Sequence, residues 1–271
     1  MPSVSVDGVE LHFRDLGDGP PIVLLHPGPG TDGAIFFPWL EPLAEAHRVL
    51  ALDLPGNGLS GAPTDPSLSG HARAARGFAD ALELEDYTLL GHSFGAFVAL
   101  TQAVEHPGRA GRVIASCGAA SEAAFDAFDE RLTAFAADRP AVLAAFEAED
   151  DVETEEQLRA AWKGQMPFFC ADPDGPACAA LVARLDEVRF SVAAVRAAEQ
   201  LGELELLDAL GSVEVPVLAI AGDEDRCIPA EHSAAIADAA PRGELVVVER
   251  AGHFPFAEQP EAYLAALGRL L

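Results

Sequence analysis

Three stretches of the chain carry side chains whose types and order could activate a hydroxyl. The first is Gly91-His92-Ser93-Phe94-Gly95, which follows the apolar run Tyr87–Leu90 and precedes an apolar stretch at helical spacing to about Glu105. A serine on a sharp strand-to-helix turn projects its hydroxyl above the sheet. Glycines two before and two after it leave room where a β-carbon would meet neighbouring backbone. The helix that begins there also aims backbone N–H groups at a developing oxyanion. Alone, the pentapeptide is compatible with an ordinary glycine-rich turn; the strand before it and the helix after it give it chemical meaning.

A serine hydroxyl is a weak nucleophile until a positioned base takes its proton, and a histidine base needs a carboxylate to fix its tautomer. In open α/β sheets such groups come from loops at the carboxyl ends of strands. Gly222-Asp223-Glu224-Asp225 follows the Val217–Ala221 run, and Ala251-Gly252-His253-Phe254 follows Leu245–Val248. Of the eight histidines, only His253 combines a strand-end position with a preceding glycine. His26 and His92 read as orienting groups near the site. His12, His47, His71, His106 and His232 read as structural or solvated. Spacing does not separate Asp223 from Asp225, and Glu224 is a poorer candidate. The order serine, aspartate, histidine is the one an α/β sheet of this kind uses.

The elements that must position these residues alternate along the chain. Val4–Val6 and Glu10–Asp15 flank Asp7-Gly8 as a hairpin. Ile22–Leu25 is a continuous apolar run, expected of a strand buried on both faces, and it leads into the irregular loop His26-Pro27-Gly28-Pro29-Gly30. Residues 35–46 read as a helix, 49–54 as a strand, 71–84 as a helix and 113–117 as a strand. From 121 to 208 strands vanish, and alanine, acidic and aromatic residues alternate at helical spacing. Strand character resumes at 215–221 and 245–248, with helices over 230–239 and 260–271. The pattern predicts an α/β fold: a mostly parallel open sheet flanked by helices, its core formed by 1–120 and 209–271, with a helical cap inserted over 121–208.

Composition narrows the partners. The chain has 271 residues, half of them hydrophobic, with 44 acidic against 17 basic side chains and a net charge of -27. Lys163 is the only lysine. Such a surface repels phosphate backbones and anionic lipids, so neither nucleic acid nor a membrane is an expected partner, and the charge reads as a device for solubility or for a saline cytoplasm rather than for attracting cationic substrates. No stretch reaches the roughly 18 apolar residues of a spanning helix. The N-terminus lacks a basic region followed by an apolar one, which gives a cytoplasmic expectation. Cys117, Cys170, Cys178 and Cys227 lack metal-ligand spacing and read as reduced, buried thiols. No metal or cofactor is called for, and the oligomeric state is left open.

Taken together, the elbow, the His26–Gly30 loop, Asp53-Leu54-Pro55-Gly56-Asn57-Gly58-Leu59-Ser60, Gly222–Asp225 with Ile228-Pro229, and Gly252-His253 resemble the alpha/beta-hydrolase superfamily across nearly the whole chain. Within it, His-Pro-Gly-Pro-Gly is similar to the His-Gly-Gly-Pro-Gly loop of the proline iminopeptidases. The resemblance implies that Asp225 is the acid, and that the backbone N–H groups of Phe94 and Gly28 form the oxyanion hole. Pro27 stands where the family has its first loop glycine, which removes an N–H and leaves Gly28 as the donor. Gly28-Pro29 is then a candidate cis bond.

The resemblance further implies a serine hydrolase working through an acyl-enzyme on a small ester, amide or lactone, of which aminopeptidase action on N-terminal proline is one version. A cofactor-free haloperoxidase or lyase on the same triad is an alternative, as is a non-catalytic ligand receptor on this fold. Epoxide hydrolases and haloalkane dehalogenases are disfavoured, because they need a carboxylate where Ser93 stands. Apolar candidates for contact with a small-molecule substrate are Phe36 after the oxyanion loop and Trp162, Met166, Phe168 and Phe169 in the cap. The acidic run Glu147–Glu156 reads as a solvated face.

Overall fold

The computed structural model describes residues 1–271. Eight strands form one sheet: β1 (Ser3–Val6), β2 (Val9–Leu16), β3 (Pro21–Leu25), β4 (Arg48–Leu52), β5 (Thr88–His92), β6 (Arg112–Ser116), β7 (Val217–Gly222) and β8 (Gly243–Val248), in the order β1-β2-β4-β3-β5-β6-β7-β8. The hairpin β1–β2 and the β2–β4 pair are antiparallel; every pairing from β4 to β8 is parallel.

The apolar runs divide by alternation. Val23, Leu25, Leu50, Leu52, Leu89, Val113 and Ala219 face one hydrophobic layer, while Ile22, Leu24, Val49, Ala51, Leu90, Ile114 and Ile220 face the other. Burial on both faces is why these strands read as continuous apolar stretches. The first layer is covered by α1 (Leu68–Ala81) and α2 (Phe94–Glu105), which pack on each other.

Between β6 and β7 the chain is helical: α3 (Phe128–Ala136), α4 (Pro140–Glu149), α5 (Glu155–Phe169), α6 (Pro176–Arg184), α7 (Val192–Ala197) and α8 (Leu207–Leu210). Its two ends meet in a bridge between Ser121 and Glu205, beside which the Leu206 N–H donates to the Ala120 carbonyl at 2.8 Å. A capping box between Thr154 and Gln157 starts α5. After β7 come α9 (Ala230–Ala239), β8, the short α10 (Pro255–Glu258) and α11 (Pro260–Leu267). No helix is long and apolar enough to cross a membrane.

One expected element differs. The helix over 35–46 is instead two 3-10 turns, Gly33–Phe36 and Glu41–Glu45. Pro38 and Pro42 interrupt the stretch, and a proline inside a helix removes an N–H and clashes with the preceding turn. Phe37-Pro38 is also cis.

The parallel register brings the strand ends to one edge. Leu25 pairs with Leu52 and Gly91, His92 with Ser116, Ser116 with Ile220, and Gly222 with Val248. The loops at 26–30, 53–58, 93, 117, 223–228 and 249–254 therefore open on the same rim.

Candidate active site

Ser93 sits between β5 and α2 with φ 54° and ψ −119°, a left-handed conformation a non-glycine residue adopts only when its surroundings impose it. Its N–H donates to the Ser116 carbonyl at 2.9 Å, anchoring the turn to β6. The flanking glycines are required by space. A β-carbon on Gly91 would run into the Gly95 carbonyl, and one on Gly95 into the carbonyls of Leu25 and His26. That second approach seats the start of α2 against the end of β3, bringing the His26–Gly30 loop beside the serine.

His253 Nε2 lies 2.9 Å from Ser93 Oγ, and His253 Nδ1 lies 2.8 Å from Asp225 Oδ2. The His253–Asp225 pair is almost wholly buried, whereas Ser93 is partly exposed. The other oxygen of Asp225 accepts the N–H groups of Cys227 at 2.8 Å and Ile228 at 3.0 Å, so the carboxylate is held in one orientation. Asp223, which spacing left as a rival, is exposed and accepts the Ala251 N–H at 3.2 Å. The geometry thus separates the two aspartates: only Asp225 meets the imidazole.

The two candidate oxyanion donors are free to donate. The Phe94 N–H opens α2, and neither it nor the Gly28 N–H donates to any protein acceptor. Gly28 has φ +137°, closed to a residue with a side chain, and Gly28-Pro29 is cis, as the loop sequence led us to expect.

The buried His26 spans this loop: its Nε2 accepts the Leu54 N–H at 3.0 Å while Nδ1 donates to the Pro27 carbonyl at 2.8 Å. Acceptance at Nε2 requires the neutral ring, and burial keeps its pKa below the ordinary value. His92 is buried beside His253, ring centroids 5.2 Å apart, and bonds Ser116 Oγ through Nδ1. Burial, then the neighbouring His253, hold His92 well below the usual histidine range.

Glu258 is a site residue that reading the sequence did not find. Its carboxylate accepts three backbone N–H groups: Ala171 at 2.7 Å, Gly252 at 3.0 Å and Phe254 at 3.1 Å. The His253 N–H itself donates to the Phe169 carbonyl at 2.7 Å. The histidine loop is therefore fastened to the end of α5. Burial raises the Glu258 pKa against the pull of the three amides. Its only signal in the sequence is a glutamate five residues after His253, which is unremarkable on an exposed helix.

The insertion holds the other loops as well. The Ser191 N–H donates to the Gly30 carbonyl at 2.9 Å, and Arg131 donates to the carbonyls of Arg226 and Cys227. Of the five apolar residues offered as substrate contacts, Phe169 is placed at the site, its ring 5.6 Å from that of His253. Phe36, Met166 and Phe168 have no exposed surface. Phe36 packs on Phe256, Phe168 among Phe128, Phe135 and Phe146, and Met166 in the second core layer. Trp162 is buried against Phe190. These four are packing residues in this conformation. Periodicity shows an apolar face but not whether it points at a cavity or at a neighbouring helix.

Sγ of Cys117 joins Asp225 and His253 in a cluster close enough for a metal, but the Asp225–His253 hydrogen bond already uses the ligand atoms. All four cysteines are free; Cys227 is half-buried and the other three are buried.

A mostly parallel eight-stranded sheet with a serine elbow, a strand-end acid and a strand-end histidine on one rim defines a hydrolase fold. A model of the alpha/beta hydrolase family matches residues 22–266, and the chain belongs to that family. It is similar to a pimeloyl-[acyl-carrier protein] methyl ester esterase of Xanthomonas campestris pv. campestris, 30% identical over 96% of this chain and 98% of the relative. It also resembles the (E)-2-((N-methylformamido)methylene)succinate hydrolase of Acinetobacter baylyi, 28% identical over 92% of this chain and 89% of that one. An alpha/beta fold family hydrolase from Bacillus anthracis superposes with a TM-score of 0.81 at 19% identity, covering 100% of this chain and 98% of that one, a likeness of fold. The chain is an alpha/beta-fold hydrolase.

Proposed function

We propose that this chain is a serine esterase that cleaves a small carboxylic ester or lactone through an acyl-enzyme. The observation that carries this reading is the continuous relay from Ser93 Oγ to His253 Nε2 at 2.9 Å and from His253 Nδ1 to Asp225 Oδ2 at 2.8 Å. His253 takes the serine proton as Ser93 Oγ attacks the carbonyl carbon, and Asp225 steadies the imidazolium. The Phe94 and Gly28 N–H groups receive the oxyanion, each worth about 3 kcal/mol of barrier. His253 then gives its proton to the leaving alcohol. A water deprotonated by the same histidine attacks the acyl carbonyl and returns the free serine with the acid.

Ester cleavage is preferred over removal of N-terminal proline. An aminopeptidase needs carboxylates near the serine to hold a substrate ammonium. Here Glu147, Asp150, Asp151, Glu153, Glu155 and Glu156 are exposed to solvent, and the half-buried Glu149 already accepts from Gln165 Nε2. The relatives named as esterase and hydrolase support the same choice.

The test is a panel of p-nitrophenyl esters, lactones and proline p-nitroanilide, run with the parent protein and with Ser93→Ala. The reading expects esters or lactones to turn over at least a hundredfold faster than the anilide, and Ser93→Ala to lose that activity while keeping its fold. Turnover of the anilide alone would favour the peptidase; activity surviving in Ser93→Ala would end the reading.

A further inference from the structure

A cavity of about 470 Å³ lies between the β4–α1 loop below and the α7 segment of the insertion above. Its size is ordinary for a small-molecule pocket. Two of its walls lead to the oxyanion donors: Pro29 follows Gly28 in the chain, and the His71 ring meets that of Phe94 edge-on with centroids 5.4 Å apart. Ser93, Gly28, Phe94 and His253 do not themselves line the cavity, which borders the oxyanion loop through Pro29 and His71.

No charged side chain lines it; its polar lining is Asn57, Ser60, Thr64, His71 and Gln200. Two of these are committed elsewhere. Asn57 accepts the Gly30 N–H and donates to the Pro55 carbonyl, while Ser60 donates to the Asp53 carbonyl and accepts the His12 N–H. Thr64, His71 and Gln200 make no side-chain hydrogen bond within the protein. Among them His71 stands apart: it is 4% exposed, its Nδ1 is closed off within the protein, and Nε2, which bonds nothing in the protein, is the ring nitrogen left with accessible surface. A polar atom left unpaired in a nearly closed site destabilises the protein, and a ligand that pairs Nε2 recovers part of that cost. Burial, then the nearby His26, push the His71 imidazole down to about 4, so the ring is neutral near pH 7.

We propose that this cavity receives an uncharged, hydrogen-bonding end group of the ester, such as a carboxamide or hydroxyl, and that His71 is the residue that selects it. The inference rests on the Ser93 reading above only in taking the ligand to be an ester. A carboxylate or ammonium end would be desolvated there with no opposite charge to meet it, which disfavours both.

The probes are butyl hexanoate and its two analogues in which the terminal methyl of the acyl or of the alcohol arm is replaced by a carboxamide. Binding to the Ser93→Ala protein is followed by calorimetry, so affinity is read without turnover. At least one carboxamide analogue should bind about tenfold more tightly than butyl hexanoate, and His71→Phe, which keeps the ring against Phe94, should abolish that ratio. Ala193→Trp, at an exposed position on the rim, fills the cavity without touching the core and should weaken the favoured carboxamide by a similar factor. A ratio near one in the parent background, or a ratio that survives both substitutions, overturns the proposal. Acid released by the Ser93→Ala protein would instead overturn the Ser93 reading, and nitrogen-free butyl hexanoate reports that separately.

Discussion

Asp225 meets His253 with one carboxylate oxygen while the other is held by two backbone amides, so its orientation does not depend on the histidine. Asp225→Asn keeps an oxygen for those amides but offers an N–H where the imidazole needs an acceptor, which turns the ring to the wrong tautomer. The expected loss in kcat is about 10⁴-fold with little change in Tm, whereas Asp223→Asn should stay within a factor of a few; steady-state kinetics on one ester decides between the two residues.

The buried histidines make a second prediction. His71 and His92 have folded pKa values below the unfolded value of about 6.5, so the unfolded chain binds more protons and stability is lost as pH falls through that value. Between pH 7 and 5.5 each contributes a loss on the order of 1 kcal/mol, and His26 acts in the same direction. Asp32, raised to about 6 by burial and by Asp53, works oppositely: its penalty eases as pH falls, by about 1 kcal/mol over that range, and Glu149 and Glu258, also raised by burial, act in the same direction as Asp32. The four lowered histidines, His106 among them, outweigh these acids, so Tm should fall from pH 7 to 5.5. A Tm that is flat or rises would show that these rings are not held neutral.

At the scale of elements, the site depends on loops tied to one another across the rim. Glu258 joins the histidine loop to the end of α5, and Glu258→Ala would leave three backbone N–H groups without their acceptor. A cost of about 3 kcal/mol is expected, with a drop in kcat as His253 loosens. Glu258→Gln keeps an oxygen for Gly252 and Phe254 and loses only the Ala171 bond, so it should fall between parent and alanine in Tm. Thermal unfolding of the three proteins checks that order.

The same scale shows what could be read in advance. The elbow was legible because Gly91, Ser93 and Gly95 each answer a local steric demand, and the apolar runs were legible because both sheet faces are buried. The stretch 35–46 was misread because its apolar spacing resembles a helix while Pro38 and Pro42 forbid one. The choice between Asp223 and Asp225 needed the resemblance, since a turn of four residues places either near the histidine. Glu258, His71 and the burial of Phe36, Met166 and Phe168 depend on how the insertion sits on the sheet, and no local pattern encodes that.

For the molecule as a whole, the charge of -27 constrains which esters arrive. A negative surface lowers the local concentration of anions, and salt screens the effect over a Debye length of about 10 Å at 0.1 M. An ester bearing a free carboxylate should therefore gain severalfold in kcat/KM between about 20 and 500 mM salt, while a neutral isostere stays nearly constant. Equal salt responses would mean that the field at the rim is not the field of the surface. The central claim remains that the Ser93 hydroxyl is the nucleophile, and labelling with a fluorophosphonate followed by peptide mass spectrometry tests it most directly. The account predicts one adduct, on Ser93, formed far more slowly in His253→Ala and absent in Ser93→Ala. No adduct in the active parent protein, or an adduct on another residue that survives Ser93→Ala, would contradict it.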